Sequence, residues 1–185
     1  MKIIVLTAPS GAGKTTIAQR VLEAIPEIRF SVSATTRPAR PHEQDGIDYH
    51  FVSPEEFEAL IAEGELLEYE EVYPGRFYGT LRAEVDRLAE EVPVLLDVEV
   101  KGALNVKRLF GDNALVLFIR PPSLEALEAR LQARGTETSA TLRTRLERAR
   151  KEIAFADRFD ATIVNDRLEE AVEETLRAVR SFLAS

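Results

Sequence analysis

Residues 8–15 read Ala-Pro-Ser-Gly-Ala-Gly-Lys-Thr, directly after the apolar run Ile3-Ile4-Val5-Leu6. Thr16 and an amphipathic stretch (Ile17, Ala18, Val21, Leu22, Ile25) follow at once. A buried strand, a glycine-bearing turn and a helix opened by Lys14-Thr15 is the context that a phosphate-binding P-loop needs, beyond its letter pattern. Gly11 and Gly13 can take backbone angles closed to other residues, so amides of the Ala8-Pro9-Ser10-Gly11-Ala12-Gly13 turn can face phosphate oxygens. The helix beginning at Lys14, Thr15 and Thr16 adds its positive end and unpaired N–H donors. Lys14 is placed to reach the β- and γ-phosphates, and the Thr15 hydroxyl to ligate Mg²⁺. Ala8 stands where the pattern G-x-x-x-x-G-K-[ST] has its first glycine, so position 8 must tolerate a Cβ. A glycine turn with a chance lysine is the competing reading, and the strand before and helix after it argue against that.

Working outward, 185 residues suffice for one domain with inserted subdomains and a real core. The chain has no cysteine, which excludes disulfides and thiolate metal sites. No leader-like or membrane-length apolar segment is present, which reads as a cytoplasmic protein. A net charge of −8 argues against a nucleic-acid binder. The charge is unevenly spread. Residues 52–99 are rich in Glu and Asp, whereas 120–151 carry Arg120, Arg130, Arg134, Arg143, Arg145, Arg148, Arg150 and Lys151. A basic segment in an acidic chain with a phosphate loop is where anion-handling arginines belong, although such runs also make ordinary solvated helix faces.

Strands are expected near 3–7, 28–32, 93–97, 114–119 and 161–164, alternating with helices. That pattern implies a parallel sheet with right-handed crossovers. Val92–Asp97 is an apolar run ending in an acid, as a doubly buried strand does where its carboxyl end meets a ligand. The stretch 33–46 is polar and proline-broken and is expected to be a surface loop carrying Arg37 and Arg40. Ser53-Pro54-Glu55-Glu56 starts a helix through Phe57, Leu60 and Ile61. Leu66–Val72 reads as a strand turning at Tyr73-Pro74-Gly75, and Leu81–Glu90 as a helix. Helices are also expected over Leu124–Ala133 and Thr141–Ala156, separated at Gly135-Thr136, with a last amphipathic helix from Leu168.

The segments APSGAGKT (8–15), FSVSATTRPAR (30–40), GIDYHFVS (46–53), FYGT (77–80), RLQARGTET (130–138) and IVND (163–166), in this order and spacing, resemble guanylate kinase over essentially the full length. The resemblance implies an α/β fold: a P-loop NTPase-type parallel sheet flanked by helices, with an inserted mixed α/β GMP-binding lobe and a helical lid. It divides a single domain into a core (1–33, 81–124 and 158–185), a lobe at about 34–80 and a lid at about 125–157. It implies transfer of the γ-phosphoryl of ATP to GMP, with Mg²⁺, and small-molecule partners only: GMP or dGMP, and ATP.

Residue by residue, the resemblance assigns the monophosphate to Arg37, Arg40, Tyr49 and Tyr78. Guanine goes to Ser33, Glu68, Thr80 and Glu99. Asp97 falls near the Mg²⁺ hydration shell. Arg130, Arg134 and Arg145 become lid arginines over the transferring phosphates, and Asn165 falls near the adenine of ATP. Glu99 and Lys101 stand where the family often has aspartate and glutamine.

These residue types suit the chemistry. Guanine presents N1–H and the N2 amino group as adjacent donors and O6 as an acceptor; a carboxylate accepts from both donors, and a hydroxyl can give to O6. Adenine would set a lone pair against Glu68, so a buried site of this kind discriminates by roughly 10⁴-fold. The planar forks of Arg37 and Arg40 fit phosphate oxygens bidentately. Phosphoryl transfer needs positioning and charge stabilisation more than a general base. Lobe and lid are expected to swing inward when both nucleotides bind, excluding water. Two other readings compete. One is a kinase of the same fold acting on a ribose phosphate, disfavoured by Glu68, Ser33 and Tyr78. The other is a guanylate-kinase-like interaction module, disfavoured by the intact Gly11, Gly13, Lys14 and Thr15.

Overall fold

The computed structural model describes residues 1–133 and 139–185. The apolar run at the amino end becomes β1 (Ile3–Thr7), wholly buried, and the glycine turn delivers the chain to α1 (Lys14–Ala24). With β2 (Arg29–Phe30), β7 (Val94–Asp97), β8 (Ala114–Arg120) and β9 (Ala161–Val164), it forms a parallel sheet in the order β2-β7-β1-β8-β9. The central strand pairs with both neighbours through the same residues, Ile3 lying opposite Val94 on one side and Ala114 on the other. Strand order therefore reverses at β1, which opens a crevice at its carboxyl end, where the loop 8–13 sits.

Both faces of the sheet are covered. On one, Ile4, Leu6, Leu95, Leu117 and Ile163 pack with α1 and with α7 (Leu168–Ala184). On the other, Ile3, Val5, Val94, Leu96 and Val116 pack with α3 (Arg82–Ala89) and α4 (Val100–Phe110). Burial on both faces explains why these strands read as continuous rather than alternating apolar runs.

Between β2 and α3 lies a second sheet, with the order β4-β3-β6-β5: β3 (Ala34–Thr35), β4 (His50–Phe51), β5 (Leu66–Tyr73) and β6 (Arg76–Leu81). Its small core is Ala34, Phe57 and Leu66, closed by α2 (Pro54–Ala62). The expected start of α2 is a full capping box. Ser53 Oγ accepts from the Glu56 N–H at 3.1 Å, and Glu56 Oε2 accepts from the Ser53 N–H at 2.7 Å. The last layer is α5 (Leu124–Ala133) packed on α6 (Ser139–Ile153) through Leu127, Leu131 and Ala149. The expected break at Gly135-Thr136 lies outside the described residues.

One expectation is corrected. The segment 33–46 is not simply a surface loop: Ser33, Ala34, Thr35 and Arg37 are buried, and β3 forms within it. Its polarity is tolerated because the buried Thr35 and Arg37 side chains have partners. Thr35 Oγ1 donates to Phe77 O at 2.9 Å, and Arg37 is ion-paired to Glu43. The turn at Tyr73-Pro74-Gly75 leads into β6, an inner strand of the second sheet held by antiparallel pairing to both β3 and β5.

Candidate active site

The loop after β1 closes by an Ala12 N–H to Pro9 O bond of 3.0 Å. Gly11 and Gly13 have φ of 93° and 96°, the left-handed region that disfavours a side chain. Space forbids one as well. A Cβ on Gly11 would lie 2.8 Å from Leu131 Cδ2, and one on Gly13 would run into the Asn165 amide. Ala8 needs no such freedom: among the described residues no non-glycine has positive φ, and its methyl is buried in the core under α1. The missing first glycine thus leaves the loop intact.

Asn165, after β9, donates through Nδ2 to Ala12 O at 2.8 Å and braces the loop from behind. Arg130 on α5 donates to Asn165 O at 2.8 Å, and Arg145 on α6 lies 3.5 Å from Ser10 Oγ. Of the expected lid arginines, Arg145 therefore reaches the loop itself and Arg130 reaches Asn165 behind it. Arg134 lies outside the described residues. Thr15 and Thr16 are exposed at the first turn of α1. Lys14 leans across the crevice, donating to Val98 O at 3.0 Å and pairing with Asp97 at the end of β7. Burial disfavours its charge, but Asp97 and Glu99 outweigh that and hold the ammonium above the usual lysine range.

Across the crevice, the second sheet presents the residues expected to hold the monophosphate. Arg37 is buried, with Nη1 and Nη2 donating to the two oxygens of Glu43 at 2.6 and 2.7 Å. Its Nη1 also donates to Pro38 O, and its Nε to the Tyr78 hydroxyl at 3.1 Å. The Arg37 pair, followed by the Arg40 N–H, holds the Glu43 carboxyl down at about 2. The Arg37 fork is therefore already filled from within the protein, which alters the expected bidentate grip. Among the described residues the second Nη2–H has no partner. Tyr78 accepts from Nε and keeps its own hydroxyl hydrogen to donate, so arginine and tyrosine together can offer a two-point anion contact. Tyr49 packs its ring on the guanidinium at 4.8 Å and edge-on to Tyr78. Arg40 is exposed, 3.7 Å from Glu43.

The expected base-reading residues converge. Thr80 Oγ1 donates to Glu68 Oε1 at 2.6 Å, with both residues buried on adjacent strands. Gly102 on α4 faces Glu68 Oε2, and any side chain there would collide with the carboxylate. Burial pushes the Glu68 carboxyl up to about 7, and the neighbouring charges of Glu70 and Glu99 add to it, while Thr80 opposes. Ser33 is buried beside this strand pair at the start of β3. Glu99 is the residue before α4, and burial raises its carboxyl too.

Three groups escaped sequence reasoning. Glu43 is hidden in a loop whose charge pattern carries no period. Glu70 and Glu152 belong to an acidic strand and a basic helix whose mutual approach only the tertiary fold creates. Arg148 joins them, bonding to Glu70, Glu99 and Glu152; its spacing from Arg145 was visible, its partners were not.

The family model described as guanylate kinase matches residues 1–182. The guanylate kinase of Salinibacter ruber is 66% identical over 183 residues, covering 99% of this chain and 97% of that protein. That of Chlorobium luteolum is 51% identical, covering 100% and 93%. Among solved structures, guanylate kinase from Anaplasma phagocytophilum is similar with a TM-score of 0.80 at 36% identity, covering 97% of this chain and 85% of that one. Shikimate kinase from Bacteroides thetaiotaomicron, at 15% identity and a TM-score of 0.56, shares the fold.

Proposed function

The chain belongs to the guanylate kinase family, nucleoside monophosphate kinases that phosphorylate GMP from ATP, and from that premise we propose which of its residues do the work. The observation that carries the assignment is the buried Glu68–Thr80 pair set against the side-chain-free face of Gly102. Glu68 accepts the N1–H and N2 donors of guanine, with Ser33 and Thr80 supplying hydroxyls and Glu99 a second carboxylate. The monophosphate takes the outer Nη2–H of Arg37, the Tyr78 hydroxyl, Arg40 and Tyr49. The inserted lobe at about 34–80 and the lid at about 125–157 act as separate bodies on the core.

The triphosphate lies in the turn from Ala8 through Gly13 (Pro9, Ser10, Gly11 and Ala12 between them), with Lys14, Thr15 and Thr16 at the helix start and Asn165 bracing the donor end, near the adenine. Lys14 must leave Asp97 to reach the phosphates, and the exchange is nearly even in charge because one anion replaces another. Arg130 and Arg145, with Arg134, neutralise charge on the moving phosphoryl from the lid side. No side chain is needed as a general base, since positioning and charge stabilisation suffice.

Mg²⁺ fits the donors present. Among the described residues no three carboxylates or imidazoles cluster to form a protein cage. The oxygens at hand are the Thr15 hydroxyl and, through water, the Asp97 carboxylate, a sparse hard-oxygen set that suits an ion keeping its waters and taking phosphate oxygens. When bound, it would neutralise the β- and γ-phosphate oxygens. The family membership implies GMP or dGMP as acceptor and a cytoplasmic enzyme. Among the described residues no helix is long and apolar enough to cross a membrane.

A panel of GMP, dGMP, AMP and ribose bisphosphate with ATP and Mg²⁺ tests the base-reading assignment, run on the native chain and on Glu68→Gln. The variant should lose about 10²-fold in kcat/KM for GMP and narrow its preference over AMP. Unaltered selectivity would remove Glu68 from the guanine site.

A further inference from the structure

Tyr73, at the end of β5, stands where the inserted lobe meets α6. The pairing of β5 with β6 slips register between Glu71 and Tyr73, an irregularity of the kind that re-aims a side chain. The hairpin tip around it is tied down. The Gly75 N–H donates to Glu71 Oε1 at 2.8 Å. Thr36 Oγ1 donates to Gly75 O at 3.0 Å and accepts from the Phe77 N–H at 2.9 Å, which links the tip to the residue preceding the buried Arg37. From this base the half-buried Tyr73 ring faces two guanidinium groups, Arg145 at 6.0 Å and Arg148 at 5.7 Å, three residues apart on α6. Arg148 is the anchor of the two. Its Nη1 donates to Val72 O, its Nη2 lies 3.0 Å from Glu70 Oε1, and its Nε lies 2.6 Å from Glu152 Oε1, which clamps α6 to β5 beside the ring. Arg145 points the other way and comes within 3.5 Å of Ser10 Oγ in the phosphate loop.

We propose that Tyr73 is a positioning residue for phosphoryl transfer: its ring, carried on the acceptor lobe, holds the Arg145 guanidinium toward the phosphate loop, so the donor side is complete only when the lobe lies against α6. This deepens the assignment of Arg145 to the transferring phosphoryl and rests on it. The reason lies in how a cation can be held. An arginine side chain spreads its charge over many rotamers unless something fixes it, and that lost freedom must be offset. A carboxylate would fix the guanidinium but would fill its fork and cancel its charge, as Glu70 and Glu152 do for Arg148. An aromatic face attracts the planar cation without consuming N–H donors and without neutralising it. The ring is thus suited to a cation whose task is to meet phosphate oxygens. Because the ring belongs to the lobe that carries Arg37 and Tyr78, transfer is tied to a docked acceptor lobe.

Single-turnover transfer with saturating ATP, Mg²⁺ and GMP tests this, alongside equilibrium binding of each nucleotide. The chains compared are the native protein, Tyr73→Leu, Tyr73→Phe, and the protein with mono-, di- or trifluorophenylalanine at position 73. Tyr73→Leu, which keeps an apolar side chain but removes the π-face, should slow transfer about 10-fold and leave the affinities for GMP and ATP within about 3-fold. Tyr73→Phe should stay within about 3-fold of the native rate. Successive fluorines drain the negative ring face with little change of shape, so transfer should slow step by step along that series. A rate that stays level across the fluorinated rings, or a native rate in Tyr73→Leu, overturns the proposal. So does a Tyr73→Leu defect that lies in nucleotide affinity instead of in the transfer rate, which would mark a packing role. If Tyr73→Leu does not fold, the near-isosteric fluorinated series decides alone. Arg145→Gln separates the two levels. Native transfer in that variant removes Arg145 from the phosphoryl, and its assignment fails. A slow Arg145→Gln beside a native Tyr73→Leu sinks only the positioning. In Tyr73→Leu/Arg145→Gln the two losses should be less than additive; full additivity also overturns the coupling.

Discussion

At the residue scale, Lys14 shows how the cation proposed to serve the transferring phosphates is held. Its ammonium rests on Asp97 and Val98 O rather than pointing into solvent, and its proton is secured by two acids. Lys14→Ala should cost at least about 10²-fold in kcat, since the charge on the β- and γ-oxygens loses a direct partner, while GMP affinity stays within about 3-fold. Equilibrium binding alongside turnover checks both halves, and native turnover would refute the role. Lys14, Gly11 and Gly13 were legible in the sequence because local backbone geometry and the P-loop motif fix them, whereas Glu68 was reached only through the family resemblance. Glu43, Glu70 and Glu152 were not, because their meaning comes from partners distant along the chain or from a loop without a period.

At the scale of elements, the segment between β2 and β4 is the instructive failure. Its proline-broken polarity suggested exposure, yet Arg37 is buried because Glu43, Tyr49, Tyr78 and Pro38 O surround it with matched partners. Composition reads polarity; it does not read satisfaction. Glu43→Gln should leave a buried guanidinium with a neutral acceptor, raising KM for GMP about 10-fold with KM for ATP unaffected. Equal effects on both nucleotides would show that the loop supports the fold rather than the phosphate grip. The parallel strands were legible for the opposite reason: burial on both faces leaves an unbroken apolar run that few loops mimic.

At the scale of the whole molecule, stability and closure carry the predictions. Glu68 and Glu152 titrate near 7 in the folded chain, well above the ordinary glutamate value. The folded state therefore holds more protons than the unfolded one between about pH 4.5 and 7, and their contribution to stability falls as pH rises through that window. Glu43, held down at about 2, acts in the opposite sense: its contribution is present above about pH 4.5 and lost as pH drops toward 2. For these groups the ligand-free protein should be most stable at about pH 4.5, and Glu68→Gln should flatten the neutral side of a melting-temperature profile. Small-angle scattering should give a smaller radius with GMP plus a non-transferable ATP analogue than with either ligand alone. Equal radii in all three states would mean that lobe and lid do not move as separate bodies.

The placement of β1 has a consequence for biogenesis. It precedes the other strands along the chain and ends up in the middle of the sheet, yet its hydrogen-bonding neighbours begin at Val94 and Ala114. A ribosome must therefore release the chain as far as Val94 before Ile3–Leu6 can find either mate, and until then this oily tetrad lacks its strand partners. Such a nascent segment is a natural client for a holdase until β7 emerges.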